Sequence, residues 1–108
     1  PHTEATHHMI SNNQLNLMQK HSYLVNTSRG EIVDEKSMTD HLISGSIAGA
    51  GLDVYENEPV NEAFYNNITN DMNCILTPHI AGVTAESNVR VSNFIIDKTN
   101  KFFENFKD

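Results

Sequence analysis

Three short apolar runs alternate along the chain with segments whose apolar residues recur at helical spacing. A first helix is predicted from Ser11 to about Lys20. Ser11 suits an N-cap, Gln14 three residues on completes a capping box, and Ile10 and Leu15 flank the cap as a hydrophobic staple. Tyr23-Leu24-Val25-Asn26 reads as a buried strand ending in the polar turn Thr27-Ser28-Arg29-Gly30. A second helix starts at Asp34, stapled by Val33 and Met38. Met38 and Leu42 share its apolar face, and Gly45 stands where a left-handed residue closes a helix. Ile47 to Val54 is a second strand, left by the loop Tyr55 to Pro59. The Asn-rich stretch from Val60 to Asn73 has weak periodicity and is expected to be irregular or short-helical. Cys74 to Thr77 is a third strand, stopped by Pro78. Thr84 caps a last helix reaching about Phe106, whose stripe Val91, Phe94, Ile95, Phe102 and Phe106 is expected to pack into the core.

Strands alternating with helices at this spacing predict an α/β fold of parallel β-α units. Such sheets bury both faces, which explains near-continuous apolar strands. Functional groups gather just beyond the carboxyl ends of their strands. Three places follow: Thr27 to Gly30, Asp53 to Pro59, and Thr77 to Gly82.

Composition narrows the partners. The 108 residues make one domain or part of one, and 38% hydrophobic with 19% charged residues allows a packed core. Seven Lys+Arg against 14 Asp+Glu give a net charge of -7, which argues against nucleic acid and anionic membrane. Mean hydropathy is -0.44, and no apolar run approaches the roughly 20 residues that span a bilayer. The single Cys74 excludes an intrachain disulfide and fits a reducing, cytoplasmic setting. The chain begins at Pro1 without an initiator Met or a signal segment, so it is expected to be a fragment.

Each strand end carries a capable group. Arg29 is a forked donor for a carboxylate or phosphate. Asp53, Glu56 and Glu58 follow the second strand, and His79 follows the third. An Arg, a Glu and a His converging on one cleft can clamp a carboxylate and move a proton beside it. That chemistry suits a 2-oxo or 2-hydroxy acid. Ser28 as a nucleophile with His79 and an acid is a rival, but the G-x-S-x-G elbow is missing. Gly49-Ala50-Gly51-Leu52-Asp53-Val54 imitates a dinucleotide fingerprint inside a strand. No metal site is expected: His2, His7, His8, His21 and His41 have no acidic partner at ligand spacing, and adjacent rings at 7 and 8 should diverge.

Four segments carry a resemblance: Pro1 to Thr6, Leu24-Val25-Asn26-Thr27-Ser28-Arg29-Gly30-Glu31-Ile32-Val33-Asp34-Glu35, Ala48-Gly49-Ala50-Gly51-Leu52-Asp53-Val54-Tyr55-Glu56-Asn57-Glu58-Pro59, and Leu76-Thr77-Pro78-His79-Ile80-Ala81-Gly82. Together they resemble the NAD-binding domain of the D-isomer-specific 2-hydroxyacid dehydrogenases. The resemblance implies the second half of a Rossmann-type domain, residues 1–108, with the glycine-rich half and the substrate domain upstream and absent. It implies a hydride transfer between NAD(H), NADP not being distinguished, and a small 2-hydroxy/2-oxo acid pair, in a homodimeric parent. Arg29 would bind the substrate carboxylate, His79 would be the acid/base, and Glu58 would hold His79 charged. Asp53 would fix the nicotinamide carboxamide. Thr27, Ser28, Arg29 and the turn His79, Ile80, Ala81, Gly82 would line the cofactor pocket, with Thr6 approaching from the preceding loop. Two other readings remain, a dinucleotide-binding corepressor-like protein and an inactive truncated product. The strand Tyr23 to Asn26 lacks its family neighbour, so the isolated chain is expected to self-associate or be only partly ordered, and to bind NAD weakly or not at all.

Overall fold

Backbone pairing follows the three apolar runs. The computed structural model describes residues 1–60, 62–69 and 72–104. Strands β1 (Tyr23–Asn26), β2 (Gly49–Leu52) and β3 (Cys74–Leu76) lie parallel in that order, with β2 in the centre. The register sets Leu24, Ala50 and Cys74 side by side, and Val25, Gly51 and Ile75 one step on. Because strand side chains alternate, this register sorts the sheet into two unlike faces. Leu24, Ala50, Leu52, Cys74 and Leu76 face a core that includes Leu15, Met38, Leu42, Ile47 and Ile68. On the other face Val25 is 69% and Ile75 71% exposed. The expectation of a sheet buried on both faces is therefore corrected: among the described residues only one face is covered.

Helix α1 (Asn12–Leu15) is a single turn, shorter than the predicted span to Lys20. Its start is as expected, with Gln14 Oε1 accepting the Ser11 N–H at 3.1 Å. Only Leu15 of the turn is buried, and so short a helix has too little packed surface to propagate. Helix α2 (Glu35–Ile43) is capped by Asp34, which accepts the Ser37 N–H at 3.0 Å. Met38 is fully buried beneath it, and Gly45 closes the segment with a φ of 66°. Buried His41 ties α2 to α1, its ring nitrogens lying 2.7 Å from Ser46 Oγ and 3.0 Å from Asn12 Oδ1.

The Asn-rich stretch contains a real helix, α3 (Glu62–Thr69), anchored by buried Ile68 and by Phe64 standing edge-on to Tyr55. Helix α4 (Ala85–Glu104) begins where Thr84 Oγ1 accepts the Ser87 N–H at 3.0 Å. The expected packing of its stripe is overturned. Val91, Phe94, Ile95 and Phe102 are all exposed, and α4 buries no residue; Phe106 lies outside the described residues. The helix leaves the sheet and stretches the molecule to 64 Å against 28 and 24 Å in the other directions. Amphipathic spacing shows which side a helix can bury, and the core here is already filled from α2 and α3.

Met38→Ala should cost about 2–5 kcal/mol in chemical denaturation, because it leaves a cavity in the core. Phe94→Ala, on the exposed helix, should change stability by less than about 0.5 kcal/mol. Equal losses at the two positions would show that α4 packs against the body of the protein.

Candidate functional site

The β2 strand is followed directly by Asp53, a buried acid. Its Oδ1 accepts the Thr77 hydroxyl at 2.5 Å and the Ile80 N–H at 2.9 Å, and Oδ2 accepts the Ala81 N–H at 2.9 Å. The Thr77 hydroxyl above all, with the two amides, holds this carboxyl below its ordinary 3.8 although burial opposes the shift. Together these donors pin the turn between β3 and α4. Within it His79 takes a left-handed φ of 55°, uncommon for a residue with a side chain.

The pinned turn brings His79 to the loop after β2. Its Nδ1 lies 2.7 Å from Glu58 Oε2, and Glu58 Oε1 accepts the Tyr55 N–H at 3.1 Å. The His79 contact first, and then the Tyr55 amide, hold the Glu58 carboxyl below its usual range. An ionised carboxylate can only accept, so Nδ1 carries the proton and Nε2 is left for a ligand. Arg29 enters from the turn after β1. Buried Asn26 shapes that turn, its Nδ2 donating to the Arg29 carbonyl at 2.9 Å and its Oδ1 accepting the Ser28 N–H at 3.1 Å. The Arg29 guanidinium donates to the Ser28 carbonyl at 2.6 Å. Arg29, Gly30, Tyr55, Glu56, Glu58 and His79 line one cavity of about 510 Å³.

A shallower cavity of about 380 Å³ opens on the uncovered sheet face, lined by Val25, Thr27, Asp53, Ile75, Thr77 and Ala81 among others. The 77–81 turn joins the two, giving His79 to one and Thr77, Ile80 and Ala81 to the other. Apolar walls with an acid at the rim fit a flat ring bearing an amide. Asp53 Oδ2 already accepts one N–H, and a carboxylate oxygen can accept a second. No phosphate-binding glycine turn occurs in the 108 residues, since Gly49-Ala50-Gly51 lies within β2.

The structure does not gather every expected residue. The Thr6 hydroxyl is engaged inside its own turn, with Thr3 and the Pro1 carbonyl, and Thr6 lines neither cavity. Ser28 Oγ donates to Asn26 Oδ1 at 3.0 Å instead of meeting His79. Ser28 and Gly82 also stand outside both linings. The histidine expectation is corrected in two respects. The His7 and His8 rings stack with centroids 4.0 Å apart, and His2 and His8 do have acidic neighbours, Glu31 at 3.9 Å and Glu56 at 2.9 Å. Among the described residues no group of three or more His, Cys, Asp or Glu is placed to hold a metal, and no helix is long and apolar enough to cross a membrane.

Two supporting residues escaped the sequence reading. Asn26 ends an apolar strand, and a polar side chain buried there must satisfy its neighbours. Tyr55 is the other. Its hydroxyl donates toward the Leu52 and Thr77 carbonyls, and burial pushes its pKa up to about 12.

Residues 1–81 match the NAD binding domain of the D-isomer specific 2-hydroxyacid dehydrogenases. The chain is 40% identical over 102 residues to a glyoxylate reductase of Korarchaeum cryptofilum, covering 94% of this chain and 30% of that protein. Among solved structures, the D-lactate dehydrogenase of Aquifex aeolicus complexed with NAD and lactic acid superposes with a TM-score of 0.80 at 30% identity, over 97% of this chain and 35% of that one. An NADPH-dependent glyoxylate/hydroxypyruvate reductase of Sinorhizobium meliloti, in complex with NADP and malonate, gives 0.81 at 34% identity, over 95% and 31%. This chain thus spans about a third of the length of the relatives it matches.

Asp53→Asn should destabilise the fold in a pH-dependent way. The folded carboxyl titrates below its ordinary 3.8, so its contribution is fully present above that value and fades as pH falls through the lowered one. The gap in denaturation midpoint between D53N and the parent chain should be widest near neutral pH and close as pH falls through the lowered value. A gap that is constant with pH would mean the three hydrogen bonds do not depend on the charge.

Proposed function

We infer that this chain, which belongs to the D-isomer specific 2-hydroxyacid dehydrogenase family by its NAD binding domain, forms the carboxylate-binding and proton-transfer side of an enzyme interconverting a small 2-oxo acid and its 2-hydroxy acid. The observation that carries this reading is the Glu58–His79 pair at 2.7 Å, in one cavity with Arg29.

Each group has a role its chemistry supports. The Arg29 guanidinium presents a planar fork to the substrate carboxylate, which orients the neighbouring carbonyl. His79 Nε2 gives a proton to the carbonyl oxygen in reduction and takes one from the hydroxyl in oxidation. Glu58 fixes the tautomer through Nδ1 and stabilises the imidazolium that exists between those events. Asp53, besides holding the turn, would offer Oδ2 to the carboxamide of the cofactor. Thr27 and Ala81 border the same cavity, and Ser28 and Gly82 are their chain neighbours. The nicotinamide group of NAD, or of NADP, supplies or takes the hydride when bound. Val25 and Ile75 would offer that group an apolar wall.

Kinetics can be tested in a hybrid in which this chain replaces the matching part of the Korarchaeum reductase. There Arg29→Lys should raise KM for the 2-oxo acid and lower kcat/KM by roughly 30- to 1,000-fold, about 2–4 kcal/mol, since a point charge replaces a bidentate fork. An unchanged kcat/KM would remove Arg29 from carboxylate binding. For the 108-residue chain alone, calorimetric titration with NAD should show little or no binding, because no glycine turn holds the pyrophosphate. Micromolar affinity would mean that these residues form a complete binding unit.

A further inference from the structure

The geometry points to Glu56 and Glu35 as positioning residues for the same reaction: their side chains clasp the start of α2 to the 53–59 loop and thereby hold Glu58 against His79. This inference rests on the reading of Glu58 and His79 as the acid/base pair.

The clasp is reciprocal. Glu35 is the first residue of α2, and its N–H has no acceptor within the helix. Glu56 Oε1 accepts it at 2.9 Å. In return Glu35 Oε1 accepts the Glu56 N–H at 2.6 Å. Two backbone amides 21 residues apart are thus each satisfied by the other segment's carboxylate. The helix dipole favours negative charge at this end, and Asp34 occupies the neighbouring cap.

The arrangement carries electrostatic tension. Burial, with Glu56, Glu31 and Glu58 nearby, pushes the Glu35 carboxyl up, although the Glu56 amide works the other way. His8 brings Nε2 within 2.9 Å of Glu56 Oε1, misaligned for a hydrogen bond, so its contribution when protonated is charge.

The consequence reaches the reacting groups in two residues. Beyond Glu56 the chain runs to Glu58, whose carboxylate bridges the Tyr55 N–H and His79. The Tyr55 hydroxyl fixes the loop's near end on the Leu52 and Thr77 carbonyls. The clasp fixes the middle. Beyond the packing of Tyr55 in the core with Met38 and Leu42, the clasp is what ties α2 to the segment that aims Glu58.

The test is a carbon-13 NMR titration of the glutamate carboxyls in the full 108-residue chain. In the parent chain Glu58 should titrate below 4.5, facing His79 and Arg29. Glu56→Ala should move that midpoint upward, toward 4.5, as Glu58 drifts from His79. Glu56→Gln, whose amide oxygen can still accept the Glu35 N–H, should leave Glu58 below 4.5. Removing the Glu56 charge by itself works in the opposite direction, because losing a nearby negative charge lowers a carboxyl's pKa. The sign therefore separates position from charge, and from a merely structural effect that spares the pair. A Glu58 midpoint that stays or falls in E56A overturns the proposal. Should E56A fail to fold, Glu35→Ala frees the Glu56 amide and carries the same expectation and the same refutation. The acid/base reading fails by a different result, full activity of Glu58→Gln in the hybrid, so the two stand or fall separately.

Discussion

One buried carboxylate organises the site. Asp53 directly follows the central strand, and three donors from a single turn converge on it. The amides of Ile80 and Ala81 lie between a strand and a helix, where neither ladder can satisfy them. A buried acid without such donors would be costly, and such amides without an acceptor equally so. Each resolves the other's problem, and the turn that results is the one that presents His79. The cavity with Arg29 and the apolar cavity on the open face meet at this turn, so both depend on the same acid.

Much of this was legible from residue order. Asp34, Gly45 and Thr84 announced helix boundaries through local chemistry, and each acts where it was expected. The rule that ligands gather at the carboxyl ends of parallel strands singled out Arg29, Glu58 and His79, and the fold brings them to one cavity. Asp53 was legible as a position, while its hydrogen bonds to a turn 24 to 28 residues away were not. The Glu35–Glu56 contacts were likewise invisible, since nothing periodic marks a bond between a helix start and a distant loop.

The misread elements share a cause. Periodicity records which side of an element is apolar, not whether anything covers it. The stripe on α4 and the apolar runs of β1 and β3 were read as burial on every apolar side, yet the stripe is exposed and so are Val25 and Ile75 on the open face of the sheet. Helix α1 erred in the same sense, its pattern continuing past Leu15 into residues such as Leu17 that have no packed surroundings. Surface that other chain segments could cover cannot be told from core by its composition.

Gly30 has the last consequence. A Cβ built there would fall 1.9 Å from the Tyr55 carbonyl carbon, inside the backbone of the loop that carries Glu58. The turn bearing Arg29 and the loop bearing Glu58 thus rest main chain on main chain, with no side chain between them to act as an adjustable spacer. The spacing between the backbone that carries Arg29 and the backbone that carries Glu58 is therefore set by the main chain. Widening or narrowing the cavity cannot be achieved at this contact, and any change in its size must come from side chains that reach it from elsewhere.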